Sequence, residues 1–544
     1  MKNYSRSFTL VFAYLLSTAL AVFAPGQVPA SEARLPIVQS ESHRSCAQSG
    51  KPSRGTKNRK KRSKKRRKDQ PMPGMEMGEK EPPSSQQSMA GMDTGKKEPP
   101  SSQQSMPGME MSKPGPASKA PEPAMPGMQM GQPGAGGQMA GMDHGAMGME
   151  EPHSFIEAIT HHNSSGTSAE PNSTPHEMIM QMRGNWMLMF HGVGFLTSNQ
   201  QSGPRGRDKL FSTNWIMPMA QRQFGKGTLT LRTMLSLEPA TVTGRRFPVL
   251  FQVGETAFGK PIVDGQHPHD FFMELAILYD LKVGGDSLIS FYAAPVGDPA
   301  MGPTAYPHRV SASENPLPTL GHHMEDSTHI ADDVLTVGFI YRIARLEASG
   351  FHGREPDEYR WDLDSGRIDS WSSRLTVSPS ANWSIQYSIG RLKSPEQLNP
   401  QQDVLRMTAS IMYNRPLTNG NWANTLLWGR NRSSPQHEVS SGYLAESTLQ
   451  LRSRNYFWGR VENVDRTNEL LLGENVEPPG FHEHALARIQ AYSAGYDHEF
   501  EIIPHLATAL GGQITFYETP ALLNSIYGSH PRGVALFLRL RPGK

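Results

Sequence analysis

Methionine spacing is the feature of this 544-residue sequence with the most specific chemistry. Fifteen of its 29 methionines fall between residues 72 and 149, in three Met-Pro-Gly-Met-x-Met units and two Met-Ala-Gly-Met-Asp units. Thioether sulfur is soft, neutral and polarizable, and such sulfur selects Cu(I) among the common metals. The glycines between the sulfurs make it easy for two or three of them to close on one ion. The segment therefore predicts a Cu(I)-binding arm.

This arm contains no Val, Ile, Leu or aromatic residue, so it cannot form a core and is expected to be disordered. Two other interpretations stay open, an adaptable apolar contact surface for a partner and a neutral spacer. The predicted copper ligands are its methionines and one histidine of its last unit: Met72, Met75, Met77, Met89, Met92, Met106, Met109, Met111, Met125, Met128, Met130, Met139, Met142, His144, Met147 and Met149.

The N-terminus has the pattern of a secretory signal peptide. Lys2 and Arg6 precede an apolar run over residues 8–24, and small residues follow it. We expect cleavage after Ala30 or Ala33, and hence an exported protein. Cys46 is the only cysteine, which excludes an intrachain disulfide framework.

A basic block at 51–68 carries twelve Lys and Arg residues and no acid. Removing those twelve leaves 42 basic against 51 acidic residues, so a basic segment precedes an acidic body. In an exported chain the expected partners are lipopolysaccharide and anionic lipid of the outer membrane, with no nucleic acid. A solvated tail without a specific partner is an equally good interpretation.

From residue 184 onward the hydrophobic pattern has a period of two. Residues 381–390 set Trp383, Ile385 and Tyr387 against polar neighbours, and 228–238 repeat the pattern with leucines. Similar segments recur with no helical crossovers, which predicts an all-β fold: an antiparallel transmembrane β-barrel of about 14–16 strands after a long disordered arm.

A soluble β-sandwich is the competing fold. Two features favour the barrel, namely charged residues inside the polar faces of strands and aromatic residues at strand ends, as in an interfacial belt. One feature departs from the barrel pattern: the chain ends in Pro-Gly-Lys, whereas most outer-membrane barrels end in an aromatic residue. The inward charges are Arg232, Glu274, Arg374, Arg406 and Glu446. The predicted belt comprises Trp186, Trp215, Tyr279, Trp371, Trp383, Trp422, Trp428 and Trp458.

The longest loop, about 295–332, is rich in proline and is expected to be an inward-folded constriction or a surface cap. It carries His322, His323, Met324 and His329, a set that can bind Cu, Zn or Ni. Loop polarity without metal binding is the alternative.

Two smaller sets of candidate ligands lie elsewhere. His267 and His269 precede a strand and could face the same way as the long loop. Met187, Met189 and His191 are expected to face the lumen, together with Met234 of a nearby strand. Inward methionines either fill space or offer soft ligands along a copper path.

The chain is thus predicted to comprise a signal peptide (1–30), a basic disordered segment (31–70), the methionine-rich arm (71–150), a polar linker (151–183) and an outer-membrane barrel (184–544). No GxSxG, HExxH or P-loop motif occurs, so we expect no enzyme activity.

The repeats of the arm carry a family resemblance. MAGMDHGAM at 139–147 and the MPGMEM units resemble the copper resistance protein B (CopB/PcoB) family, which implies a role in copper sequestration or tolerance and a periplasmic copper-handling partner. The later stretches APVGDPAMGPTAYPHR, NPLPTLGHHMEDSTHI and GREPDEYRWD resemble an uncharacterised group of bacterial outer-membrane proteins. A general porin or structural envelope protein is the alternative function.

Overall fold

A computed structural model of the chain describes residue 152 and the ranges 154–161, 164–175, 177–326 and 331–542. The predicted signal peptide, the basic segment and the methionine-rich arm with His144 lie outside the described residues. His329 of the long loop lies outside them as well.

Sixteen antiparallel strands form a closed ring, in agreement with the predicted barrel. Each strand pairs with the next along the ring, and the last strand pairs with the first between Gly533 and Gln201 and between Leu540 and Gly194. The ring strands are β2 (Trp186–Gln201), β3 (Asp208–Phe224), β4 (Gly227–Leu235), β7 (Phe272–Gly284), β8 (Ser287–Gly297), β9 (Ala331–Tyr341), β10 (Ala344–His352), β11 (Ser370–Val377), β12 (Trp383–Leu392), β13 (Asp403–Leu417), β14 (Gly420–Ser434), β15 (Val439–Leu451), β16 (Asn455–Thr467), β17 (Ala485–Ile503), β18 (Leu506–Glu518) and β19 (Arg532–Pro542).

Three further strands lie outside the ring. The short strand β1 (Ile179–Arg183) forms a hairpin with the start of β2. The hairpin β5 (Val253–Ala257) and β6 (Lys260–Val263) lies in the connection between β4 and β7.

The helices of the described residues are short: Phe155–His161, Glu238–Thr241, His322–Glu325 and Asn524–Tyr527, with 3-10 turns at Thr243–Arg245, Asn468–Leu471 and Ala521–Leu523. Across the described ranges, every helix is too short or too polar to cross a bilayer.

The period-two pattern sets which face of each strand points outward. In β9, Leu335, Val337 and Phe339 are about half exposed, whereas Thr336 and Gly338 between them are buried. In β19 the outward leucines likewise alternate with buried residues. Successive side chains of a strand point to opposite faces, so one register gives the barrel an apolar outside and a mixed inside.

The prediction of an aromatic belt is wrong for two of its members. Trp371 and Trp383 are exposed on the outside, as expected. Trp215 and Trp458 are buried, because their positions in the alternation face the lumen. Trp458 donates a hydrogen bond from its indole nitrogen to Gln513 at 3.1 Å inside the barrel.

The lumen is filled by chain segments. Residues 164–175, 236–271 and 298–326 are mostly buried there, so the long loop folds inward, which confirms the first of its two predicted forms. The predicted polar linker supplies the first of these segments: Arg345 donates a hydrogen bond to the carbonyl of Thr167 at 2.7 Å, and Arg374 donates one to its hydroxyl at 2.9 Å. Buried arginines of the barrel wall therefore hold the segment by its polar groups.

The predicted inward charges are confirmed. Arg232 and Glu274 are buried and form an ion pair with 2.7 Å between Nε and Oε2. Glu446 accepts a hydrogen bond from Arg309 of the long loop at 2.6 Å. Buried charges need partners of this kind, and these pairs join the wall to the segments in the lumen.

Candidate metal centre

Two lumenal segments bring three histidines together. His267 comes from the connection between β4 and β7, and His322 and His323 come from the long loop. One ring nitrogen of each histidine lies within 4.8 Å of those of the other two. Glu255 of β5 and Glu355, which follows β10, form a second such set with His323. We call these five residues the histidine centre.

A single helical turn orients the two adjacent histidines. The backbone N–H groups of Met324 and Glu325 both donate to the carbonyl of Gly321, at 2.8 and 3.0 Å. Successive residues of a helix point about 100° apart, so the His322 and His323 rings diverge, with their centroids 5.1 Å apart. The two imidazoles therefore approach the centre from different directions.

His322 is held by its neighbour one turn later. Its Nδ1 lies 2.8 Å from Oδ1 of Asp326, and a carboxylate only accepts, so Nδ1 carries the proton. Asp326 is fixed in turn by Arg309, at 3.0 Å, and by the backbone N–H of Tyr306, at 3.0 Å. Burial lowers the pKa of His322 to about 4. The ring is thus neutral and presents Nε2, the arrangement that orients a metal-binding imidazole.

His267 is oriented in the same manner. Its Nδ1 lies 2.7 Å from the carbonyl oxygen of Pro268, which also only accepts. Its Nε2 lies 3.0 Å from Oε1 of Glu255, but the two atoms do not have the alignment of a hydrogen bond. Two atoms with lone pairs at this distance repel each other unless a cation lies between them or on one of them. A proton or a metal ion meets that need.

Glu255 is kept ionised by its surroundings. Burial by itself raises the pKa of this carboxyl, but His267 and Arg360 outweigh that effect and hold the pKa well below its usual range. Arg360 binds Oε2 of Glu255 at 2.9 Å and Oδ1 of Asp270 at 3.0 Å, which leaves Oε1 directed at the imidazoles. The centre therefore includes a negative charge of fixed orientation.

His323 lies between the two glutamates. Its Nε2 is 3.7 Å from Oε1 of Glu255, and its Nδ1 is 3.4 Å from Oε2 of Glu355. Burial lowers the pKa of this histidine, but the charges of Glu355 and Glu255 raise the pKa by more than burial lowers it. The net pKa therefore lies above its ordinary value. The ring is attracted to both carboxylates and joins the two sets of candidate ligands.

The donor set suits a borderline divalent metal. Neutral imidazoles with carboxylate oxygen bind Zn²⁺, Cu²⁺ and Ni²⁺. Metal–nitrogen bonds of about 2.0 Å place tetrahedral ligand atoms roughly 3.3 Å apart. The nitrogens of His267, His322 and His323 lie within 4.8 Å, so side-chain shifts of roughly 1.5 Å complete such a site.

Two residues near the centre have other roles. Met324 packs in a hydrophobic cluster with Leu250 and Phe251, because it points away from its histidine neighbours; its predicted ligand role stays a prediction. His269 approaches Glu238 through Nδ1 at 2.9 Å and the hydroxyl of Tyr306 through Nε2 at 3.3 Å. The expected pair His267 and His269 is therefore split, since both nitrogens of His269 already have partners.

The structure adds two residues that sequence reasoning missed. Glu255 and Glu355 are single acids in polar connections, with no spacing that relates them to a histidine. The only sign of their role in the sequence is that each is an acidic residue in a connection between strands. The arm methionines, His144 and His329 lie outside the described residues, so their ligand roles stay predictions.

These observations define the class of protein. The ring satisfies the backbone polar groups of its strands, as a span of hydrocarbon requires, and its outer face carries exposed apolar side chains such as Leu335, Phe339 and Leu536. A closed, even-stranded antiparallel barrel with an apolar exterior is a transmembrane barrel of the kind that lies in the bacterial outer membrane.

No protein-family model and no curated protein matches the chain. Among solved structures, an anion-selective porin from Comamonas acidovorans is similar over 65% of this chain and 99% of its own, at 8% identity and a TM-score of 0.42. OmpF of Salmonella typhi, in complex with daunomycin, is similar over 67% and 100%, at 9% identity and a TM-score of 0.40. The outer membrane channel DcaP of Acinetobacter baumannii is similar over 66% and 99%, at 8% identity and 0.38. The barrel itself is established by its strand pairing.

A charge on the outer face tests the membrane orientation. Leu536 lies near the middle of β19 and is 60% exposed. We expect Leu536→Arg to lower the free energy of unfolding by about 2–4 kcal/mol, because an arginine near the bilayer midplane must be desolvated. Urea unfolding of the protein in phospholipid bilayers measures this change.

Leu522→Arg is the matched control. Leu522 is 54% exposed but lies in the connection between β18 and β19, away from the strands that cross the bilayer. We expect it to change the free energy of unfolding by less than about 0.5 kcal/mol. Equal effects of the two substitutions would contradict the assigned outer face.

Proposed function

We propose that this protein is an outer-membrane barrel that binds copper, through a periplasmic methionine-rich arm and through the histidine centre, and acts in copper sequestration and tolerance. The observation that carries the proposal is the convergence of three imidazoles, His267, His322 and His323, with ligand nitrogens within 4.8 Å of one another. Two of them have their Nδ1 directed at an acceptor, as metal-binding imidazoles usually do.

Copper is the metal that suits both parts of the chain. Thioethers of the arm favour Cu(I), whereas imidazole and carboxylate favour Cu(II) over the other divalent first-row ions. Both oxidation states occur in an oxidising envelope. The arm gathers Cu(I) in the periplasm, and the histidine centre holds Cu(II) within the barrel. A periplasmic copper-handling protein is the expected partner for exchange with the arm, and lipopolysaccharide is the expected partner of the basic block.

The arm is tested by a Cu(I) competition titration of the isolated 70–150 peptide. Because the segment has no core-forming residue, the peptide represents the arm as it exists in the chain. We expect dissociation constants below about one micromolar, equivalent to roughly 8 kcal/mol of binding free energy. Changing Met139, Met142 and Met147 to leucine should weaken binding, while changing Ser101, Ser102 and Ser105 to alanine should not. An affinity weaker than micromolar, or equal effects of the two changes, contradicts a copper role for the arm.

A general porin or structural envelope protein is the function to be distinguished. Such a protein would conduct ions in planar bilayers, and its deletion would leave growth on copper unchanged. We expect the opposite for the copper function: a deletion strain grows more poorly on elevated copper and recovers with the intact gene. A variant lacking only residues 72–149 then separates the contribution of the arm from that of the barrel.

A further inference from the structure

The geometry points to a second metal site in the lumen, a thioether and imidazole site for a soft monovalent cation, Cu(I) or Ag(I), formed by His191, Met217, Met234 and His308. This inference goes beyond the proposed function, because it concerns other residues and a different class of ion from the histidine centre.

Methionines are concentrated on one part of the inner wall. Met189, Met217, Met219, Met234 and Met273 are buried in one cluster, and Met178, Met180 and Met187 pack against it. These are eight of the 14 methionines outside the arm. A wall that needed only apolar volume would use the Leu and Phe found on the outer face of the same strands. Sulfur is therefore enriched at one place inside the barrel.

Strand register brings sulfur and imidazole side by side. Met180 pairs with Met189, and Met189 pairs with Met219, so three methionines form a row across β1, β2 and β3. In the next inward row, His191 pairs with Met217. Directly opposite residues have Cβ atoms about 4.5–5.5 Å apart, so their side chains are in mutual reach.

The long loop adds a second imidazole. Nε2 of His308 lies 3.3 Å from Sδ of Met234. Metal bonds of about 2.0 Å to nitrogen and about 2.3 Å to sulfur place two tetrahedral ligand atoms roughly 3.5 Å apart. The observed separation therefore already fits two ligands of one ion. The ring of His191 follows at 5.6 Å from that of His308, centroid to centroid.

Space for an ion exists beside these groups. A cavity of about 130 Å³ is lined by Met178, His191, Trp215 and His308. A site for one water needs roughly 10–15 Å³, so the cavity admits a hydrated or partly dehydrated ion. Neutral thioethers stabilise a soft monovalent ion far better than a hard divalent one, so the ion expected at this site is soft and monovalent.

The carboxylates that line this cavity are already engaged. Oε1 of Glu170 accepts a hydrogen bond from the backbone N–H of Val310 at 2.9 Å. Two further acids line the cavity: Glu177 pairs with Nε of Arg541 at 2.7 Å, and Glu314 accepts a hydrogen bond from Nη1 of Arg541 at 3.0 Å. All three carboxylates thus have protein partners, and the ligands that we propose for the cation are thioether and imidazole groups.

Trp215 supplies a local optical signal. Its ring lies 4.3 Å from that of His308 and 5.1 Å from that of His191, centroid to centroid. The methionine-rich arm contains no tryptophan, so ions bound there do not contact a reporter of this kind. Subtracting a titration of Trp215→Phe from that of the parent isolates the emission of this one ring.

The test is an Ag(I) titration of the full chain in detergent micelles. We expect Ag(I) to quench the Trp215 emission in the parent, and the Met234→Leu and His308→Gln double variant to weaken this response at least ten-fold. Met412→Leu, which changes another buried lumenal methionine outside the cluster, should titrate like the parent. X-ray absorption of the Cu(I) form should show a larger nitrogen contribution in the parent than in the double variant, which lacks the imidazole of His308.

Met217→Leu tests the site in a variant that should still fold. Substitutions between side chains of similar volume usually lower the free energy of unfolding by less than about 1.5 kcal/mol. A folded Met217→Leu barrel should still show a weakened Ag(I) response. Unchanged Trp215 emission in the parent, or parental titrations for Met217→Leu and the double variant, would overturn the site. Neither result touches the proposed function, because that is tested by Cu(I) titration of the isolated arm and by Cu(II) binding to variants of the histidine centre, which leave this site unchanged.

Discussion

Changing His267 and His323 to glutamine should weaken the tightest Cu(II)-binding step of the full chain by about 100-fold or more. The two substitutions remove two of the three imidazoles that converge in the lumen. Loss of a residue that only hydrogen-bonds to a metal ligand lowers the metal affinity by about 10–100-fold. Loss of two of the ligands themselves should therefore lower the affinity by at least as much. Competition with a chelator of known affinity, on the purified full chain in micelles, measures the change.

Electron paramagnetic resonance of the Cu(II) form gives an independent measurement. The parent should show couplings to several nitrogens, and the variant to fewer. The matched control changes His482 and His484 to glutamine, because these two histidines lie close together in an exposed connection. The control should bind like the parent. Parental affinity in the lumenal variant, or equal losses in both variants, would remove the histidine centre from the copper proposal.

Glu446→Ala should lower the free energy of unfolding by about 3–5 kcal/mol, because it leaves two buried guanidinium groups without their shared partner. Oε1 of Glu446 accepts a hydrogen bond from Nε of Arg309 at 2.6 Å, and its Oε2 accepts one from Nε of Arg460 at 3.0 Å. All three side chains are buried. Arg309 also binds Asp326, which orients His322, so the loop that carries the centre should loosen too.

Asp286→Ala provides the comparison for this prediction. Asp286 pairs with Arg342 at 3.0 Å, but both side chains are more than half exposed. Exposed pairs of this kind contribute little to the free energy of unfolding, because water screens them. Urea unfolding in micelles, followed by far-ultraviolet circular dichroism, should therefore separate the two variants clearly. Equal stability losses would show that the lumenal ion pairs do not anchor the long loop.

The barrel could be predicted from local pattern alone. Every ring strand corresponds to a segment in which apolar and polar residues alternate, and the predicted inward positions Met189, His191 and Arg232 are buried. The reason is physical. A strand places neighbouring residues on opposite faces, and the face in contact with lipid must be apolar. The sequence of each strand therefore determines which of its residues face outward.

Aromatic side chains follow that rule less strictly. Trp215 and Trp458 were expected at the lipid interface, but they face the lumen, where other inward-facing residues of the barrel wall provide apolar partners for them. An indole suits either environment because it has an apolar ring and one polar group. Its presence near a strand end therefore does not decide its face.

The sequence by itself determined the strands, their faces and the histidines His322 and His323 of the long loop as candidate ligands, and it left open whether that loop folds inward or caps the surface. Only the tertiary structure decided that His267, Glu255 and Glu355 join them, and that the segment 164–175 is bound inside the barrel. These residues lie on separate connections, which have no periodicity to relate one to another. Their meeting depends on how the closed wall and its buried arginines fold the loops inward, and that is a property of the whole barrel.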